Sequence, residues 1–364
     1  MIHATFVMEQ HIGHRAFYLN LRRFIDQSPR VQAHWLEVTY SEPGLLSDRW
    51  PWLKQVRGRA AGWLQVNRGL RKTRGDLTFF NTQVPATFAP GLVERKPYIL
   101  STDITPIQYD AMAAVYGHRV DRLAIVRRFK DSVNRRLFTH AARVIPWSTW
   151  ARDSLVQDYG VDPERIEVIP PGVDTSFWRP NGRAEMRRAS EPLRILFVGG
   201  DFSRKGGHVL LDAFRRLPPG QAELLLVTRS QIPAVEGVQV FNNLQPNSSE
   251  LVALYQSADI FVLPTQAEAF GIAVVEASAV GLPVIAVGVG GVPDIVKHGQ
   301  TGFLIPAGDV DQLLAHLQLL LEDHRLRRQM GAAGRCRVEE KFDGYKNAAR
   351  IVEICEEVIA STKR

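Results

Sequence analysis

Short apolar runs alternate with stretches of helical period along the whole chain. In the first half ATFVME, AHWLEVTY, LTFFNT, YILSTD, ARVIPWS and IEVIPPG read as strands, and the periodic stretches at 14–26, 50–72, 120–140 and 149–159 read as helices. In the second half LRILFVGG, AELLLVT, VQVFNNL, DIFVLPT and PVIAVG are buried-strand runs, followed by helical stretches at 206–216, 248–258, 272–280 and 309–330. Strand-then-helix order predicts parallel sheets covered by helices. The alternation breaks at 170–192, a stretch rich in Pro, Gly and charge that marks a linker, and LRILFVGG then restarts as a fresh first strand. The expected fold class is α/β, with two doubly wound domains over 1–180 and 181–343 facing across a cleft. Ligands of such sheets bind beyond the carboxyl ends of the strands, which places the expected site in that cleft.

Composition narrows the class. The chain has 364 residues, 45% apolar and 23% charged, as in ordinary globular proteins. No run approaches the ~18–20 apolar residues of a spanning helix. The N-terminus reaches Glu9 without the basic start and apolar core of a signal peptide, so the cytoplasm is the expected location. Cys336 and Cys355 cannot form a zinc cluster alone and read as reduced interior thiols. The net charge of +7 is uneven: residues 1–180 carry +8 and residues 181–364 carry −1. The first half therefore suits an anionic partner. Segment 49–74 holds eight basic residues and no acid, with Trp52, Val56, Ala60, Trp63 and Leu70 at helical spacing. Two readings stand: peripheral docking on an anionic membrane, or a helix packing its Trp face on the sheet with solvated charges outside. Further basic residues follow at Arg127, Arg128, Lys130, Arg135 and Arg136. No recognition motif accompanies the charge, so nucleic acid is not an expected partner.

The densest chemistry lies in PTQAEAFGIAVVE at 264–276. A strand ends at Pro264, and Phe270-Gly271 opens a helix. The helix N-terminus offers unpaired amides and a positive dipole end, suited to phosphate. Glu268 on the loop and Glu276 on the second helical turn can each accept hydrogen bonds from sugar hydroxyls. An anion site flanked by carboxylates fits a nucleotide sugar better than a bare phosphate. In LFVGGDFSRKGG at 196–207 a strand ends at a glycine pair, and Arg204 and Lys205 precede a helix. Both can hold phosphate oxygens, Arg in a bidentate fork.

These segments, with VIPPGVDTSFWRP at the junction and the following GLPVIA and GG-x-P stretches, resemble the retaining glycosyltransferases of family 4, of GT-B fold, over about residues 160–361. The resemblance implies transfer of a sugar from a UDP- or GDP-linked donor to an acceptor hydroxyl, through an oxocarbenium-like transition state, with neither metal nor cofactor. It implies that Glu268 contacts the donor sugar, that Glu276 holds the ribose, and that Lys205 binds the diphosphate. The AFG interior, Ala269, Phe270 and Gly271, together with Ile272, would face sugar and diphosphate. Members often carry Arg where this chain has Gly200, and Arg204 is the proposed substitute. The implied acceptor is unspecified, with an anionic or lipid-linked one favoured by the charge. The terminal stretch 344–364, with Ile351, Ile354, Cys355 and Val358 on one face, would be a helix crossing back to the N-terminal domain.

In the first half, the resemblance puts a glycine-bearing loop after the first strand near the donor phosphates, where Gly13 and His14 stand. The plainer reading is a connecting glycine and a polar first-turn histidine. Asp103, at the end of YILSTD, is put forward as a catalytic or substrate-contacting residue, against a helix-capping role before Pro106. His118 is a further candidate. Other classes stay open: a GT-B nucleotide-sugar epimerase, which would need no acceptor, and a catalytically silent nucleotide-sugar-binding protein.

Overall fold

The computed structural model describes residues 1–10, 12–41, 54–182 and 191–362. These form two parallel sheets. The first contains β1 (Ile2–Glu9), β2 (Val31–Val38), β3 (Leu77–Phe80), β4 (Tyr98–Thr102) and β5 (Arg143–Pro146), in the order β2-β1-β3-β4-β5. The second contains β6 (Leu193–Val198), β7 (Ala222–Val227), β8 (Val238–Phe241), β9 (Ile260–Leu263), β10 (Val284–Val287) and β11 (Gly302–Ile305), in the order β11-β10-β9-β6-β7-β8. Both are Rossmann-like α/β arrangements. Inner strands such as β3, β4, β9 and β10 are buried at every position, as parallel strands covered on both faces must be. Edge strands β2 and β8 are more exposed.

The chain divides into two compact units, one of Met1–Ala111, Arg119–Pro171 and Tyr345–Arg364, the other of Met112–His118 and Gly172–Gly344. The division falls at 171/172, ahead of the 180/181 boundary read from the sequence, for a local reason. Residues 172–180 are tied into the second unit: Gly172 lies against Gly344, with no room for a side chain, and Val173 bridges Asp343. The Arg335 guanidinium donates to the carbonyls of Thr175 (2.8 Å), Trp178 and Ala279 (2.6 Å).

In the first unit, Val7, Phe80, Leu100 and Val144 pack with Leu137 and Phe138 of helix Ala124–His140 and with Leu155 of helix Thr149–Gln157. Each such fully buried side chain contributes about 1.5–3 kcal/mol of transfer free energy. From Tyr345 onward, helix Gly344–Thr362 belongs to this unit and buries Ile351, Ile354, Cys355 and Val358. Arg350 pairs with Glu167, and Arg30 with Glu356.

Several sequence readings are corrected. IEVIPPG is not a strand: Ile166 makes one isolated bridge to Val144, and Pro170 and Pro171 have no N–H to continue a ladder. The stretch 309–330 is two helices, Val310–Glu322 and His324–Lys341, divided where Asp323 caps the second by accepting from Leu326 N. Strand β11 was not anticipated. Its first residue, Gly302, sits where a Cβ would lie 2.1 Å from Val284 O. Cys336 is exposed, so only Cys355 is an interior thiol. Gly13 lies within helix Ile12–Ile25 rather than in a loop.

The basic segment also packs differently from its apolar stripe. Helix Lys54–Lys72 buries Ala61 and Val66, while Ala60 and Trp63 are exposed. Gly62 and Gly69 explain the choice: a Cβ on either would lie under 3 Å from Tyr40 or Leu36, so the two glycines bring that face close. Leu70 is partly buried against the core, while Arg49, Trp52 and the side chains of Lys54 and Val56 lie outside the described residues.

Candidate active site

In the second sheet β6 is central. The chain runs from β6 outward through β7 and β8, then returns to β6's other side and runs out through β9, β10 and β11. The order therefore reverses between β6 and β9, the position at which sheets of this kind bind ligands beyond the carboxyl ends of their strands. Those two loops carry Lys205 and Glu268.

Glycines bring the loops together. A Cβ on Gly199 would meet the Lys205 stem at 2.9 Å, so the lysine runs over a bare strand exit. Gly206 has φ +77°, and its Cβ would lie 1.8 Å from Pro264 O. Only glycine accepts that conformation without strain. Gln266 N then donates to Arg204 O at 2.9 Å. The result is a hydrogen-bonded ion pair between Lys205 Nζ and Glu268 Oε2, with the side chains 15% and 11% exposed. The GG-x-P segment supports it from behind: a Cβ on Gly290 would lie 1.8 Å from Glu268 O, and Gly291 N donates to Ala269 O at 2.9 Å.

Beyond Glu268, Ala269 and Phe270 are buried, and Gly271 (φ +108°) is the N-cap of helix Ile272–Ala279, with no side chain capping it. Val274 N already donates to Gly271 O at 2.9 Å, while the amides of Ile272 and Ala273 ahead of it have no intrahelical acceptor and suit an anion. Glu276 is buried on the second turn and accepts from Tyr255 Oη at 3.0 Å. Burial lifts its carboxyl from the ordinary 4.5 to about 7, with the Tyr255 hydrogen bond opposing the rise.

A pH dependence follows. Between about 4.5 and 7 the folded chain keeps a proton on Glu276 that the unfolded chain has released, so stability declines as pH rises across that window, by roughly 3 kcal/mol, and is level above it. Glu276→Gln is expected to abolish that decline in melting temperature. An unchanged slope in the variant would refute the burial account.

Arg204 is engaged in holding the loops. Its guanidinium donates to Ala267 O (3.1 Å), lies 3.5 Å from Asp201 Oδ2 and stacks over the Tyr116 ring at 4.9 Å. A cation the sequence reading missed stands nearer the strand exit. A Cβ on Gly200 would lie 3.1 Å from Nε and Nη2 of Arg229, which follows β7. The Arg229 side chain is exposed and has no ion pair or hydrogen bond among the described residues. Lys205 over Gly199 and Arg229 over Gly200 thus set two cations on successive glycines. Gly200 was the available signal, because a bare strand exit leaves room for a side chain from the neighbouring strand.

In the first unit, His14 and Asp103, read separately from the sequence, come together: Nε2 and Oδ2 are 3.5 Å apart. The His14 ring stands 5.4 Å from that of Trp147, and its Nδ1 is buried without a hydrogen-bond partner among the described residues. Burial pushes the Asp103 carboxyl up, opposed chiefly by the His14 charge. Gly13 is exposed with open space around it. His118 lies in the other unit.

Comparison with known proteins agrees with both halves. Residues 179–337 match the family model of glycosyl transferases group 1, and residues 26–177 match that of Glycosyltransferase Family 4. The chain is similar to an MMP alpha-(1->4)-mannosyltransferase of Mycolicibacterium hassiacum, 32% identical over 82% of this chain and 74% of that one. It is also similar to a D-inositol 3-phosphate glycosyltransferase of Pseudarthrobacter chlorophenolicus, 30% identical over 62% of this chain and 57% of the relative, so little more than half of that protein is matched. Among solved structures it shares the fold of sucrose-phosphate synthase from Thermosynechococcus elongatus (TM-score 0.77, 19% identity, covering 99% of this chain and 100% of that one). It likewise shares the fold of Anabaena HepE in complex with UDP-glucose (TM-score 0.72, 18% identity, 98% and 100%). On the two family matches and the mannosyltransferase likeness, the chain belongs to glycosyltransferase family 4, with the GT-B fold.

Proposed function

We propose that the protein is a retaining glycosyltransferase that takes its sugar from a nucleoside diphosphate donor, UDP- or GDP-linked, and passes it to an acceptor hydroxyl without a metal ion. The observation that carries this reading is the Lys205–Glu268 pair beside the uncapped N-terminus of helix Ile272–Ala279, at the β6/β9 reversal. The diphosphate rests on those amides and on Lys205 and Arg229. Glu268 accepts from the sugar hydroxyls and Glu276 from the ribose. As the bond from the anomeric carbon to the diphosphate oxygen breaks, its electron pair leaves with the diphosphate, and the preorganised cations and amides stabilise the growing charge. The acceptor hydroxyl attacks the face the diphosphate leaves, its proton passes to the departing oxygen, and configuration is retained. The His14–Asp103 pair is the first unit's candidate for binding hydroxyls.

HepE, crystallised with UDP-glucose, favours UDP-sugars as the first donors to try. A thermal-melt panel of UDP, GDP, ADP and their sugars tests the donor. A ligand at 100 times its Kd should add about 2.7 kcal/mol. No shift with any of them would overturn the reading, and sugar epimerised without acceptor would make the protein an epimerase. An inverted anomeric configuration in the product would reject retention. Arg229→Met is expected to weaken nucleoside diphosphate binding by roughly 10–100-fold, the worth of a hydrogen bond to a charged group. Wild-type affinity in calorimetry would remove Arg229 from the site.

A further inference from the structure

We propose that the exposed beginning of helix Ala124–His140, together with Leu123 just before it, docks on an anionic lipid bilayer. The proposal is independent of the sugar-transfer reading. Of this helix's side chains, those buried are Asn134, Leu137 and Phe138, all in its second half. Its first half stands clear of the core, yet Leu123, Ile125 and Phe129 are 66%, 77% and 68% exposed. Ile125 and Phe129 are four residues apart and share a face. Asn134 lies nine residues beyond Ile125, two and a half turns at ~3.6 residues per turn, so that face points opposite to the one anchored in the core. No rotation of the helix could bury these side chains against its own sheet without expelling Leu137 and Phe138.

The charge around them identifies the occupant. Residues 119–130 carry Arg119, Arg122, Arg127, Arg128 and Lys130 against one acid, Asp121, which Lys130 pairs. The four arginine side chains are exposed and have no ion pair or hydrogen bond among the described residues. Apolar side chains ringed by guanidinium groups match the boundary of an anionic membrane, where the former enter the acyl layer and the latter reach the headgroups. A second copy of the chain would set four arginines against four, which disfavours that partner. Nucleic acid would use the arginines but leave Leu123 and Ile125 without a role. The other basic helix, Lys54–Lys72, exposes Trp63 alone among the large hydrophobic residues described in it and serves as the internal comparison.

Flotation of the full chain with vesicles of phosphatidylcholine, and with vesicles that also contain phosphatidylglycerol, tests the proposal. Binding is expected with phosphatidylglycerol only, and it should weaken with salt. Replacing Arg122, Arg127 and Arg128 by Gln should reduce partitioning about fivefold per arginine. The variant Leu123→Ser, Ile125→Ser, Phe129→Ser should also lose binding, although its charge is unchanged. Circular dichroism should show both variants folded as the wild type, since none of these side chains is buried. Absence of binding to phosphatidylglycerol vesicles would overturn the proposal. So would loss on Arg68→Gln, Arg71→Gln, Arg74→Gln with none on the first two sets. Self-association in sedimentation velocity that the Ser variant abolishes would reassign the face to contact between copies.

Discussion

Lys205→Met is expected to lower kcat/KM by roughly 10²–10³-fold, about 2.7–4 kcal/mol, the loss typical of one preorganised group at a developing anion. The lysine serves twice. In the free protein it neutralises Glu268, whose side chain is 11% exposed, and in the reaction it faces the diphosphate. Removing it leaves a mostly buried carboxylate without its partner, so melting temperature should fall as well, by an equivalent of about 1–3 kcal/mol. The two consequences separate in the double variant Lys205→Met, Glu268→Gln. Replacing the carboxylate by a neutral amide should restore stability and leave activity lost. Steady-state kinetics and thermal melts on the two variants and the wild type decide the matter. A single variant with wild-type kcat/KM would remove Lys205 from the mechanism, and activity regained along with stability in the double variant would reduce the pair to a structural one.

Gly206→Ala should be a severely damaging single-methyl change near the site. The residue sits at φ +77°, and the added carbon would lie 1.8 Å from Pro264 O. Both partners are backbone, so no rotamer change relieves the clash, and the loops after β6 and β9 must separate. A destabilisation of about 3 kcal/mol or more is expected, of which the left-handed conformation alone explains about 1–2 kcal/mol. Gly220→Ala is the matched control, with φ +78° and nothing within 4 Å of its Cβ. It should show the conformational cost only. Equal losses of melting temperature in the two variants would mean that loop apposition contributes nothing. Activity should fall further in Gly206→Ala than stability accounts for, because Lys205 is the preceding residue and moves with the loop.

The alternation of apolar runs and helical periods was enough to place β6 after the linker, to start a helix at Gly271, and to set Glu268 on the loop and Glu276 on the second turn. These are local facts. A parallel strand is buried on both faces, so its residues are apolar in sequence, and a helix beginning at a glycine after a strand announces its amide end. What only the tertiary structure decided is which side chains from distant segments meet. His14 follows β1 and Asp103 follows β4, with β3 between those strands in the sheet, and no periodicity reports that they lie 3.5 Å apart. Arg229 reaches Gly200 because β7 pairs with β6 in register, while Arg204 is drawn off to Ala267 and Tyr116. The face of helix Lys54–Lys72 was misread for the same kind of reason: Gly62 and Gly69 look like weak points along the chain, yet against Tyr40 and Leu36 they are the points of closest packing. Periodicity records how each segment meets its own surroundings. Strand order and close backbone approach are properties of pairs of segments, and they determine which charges share a site.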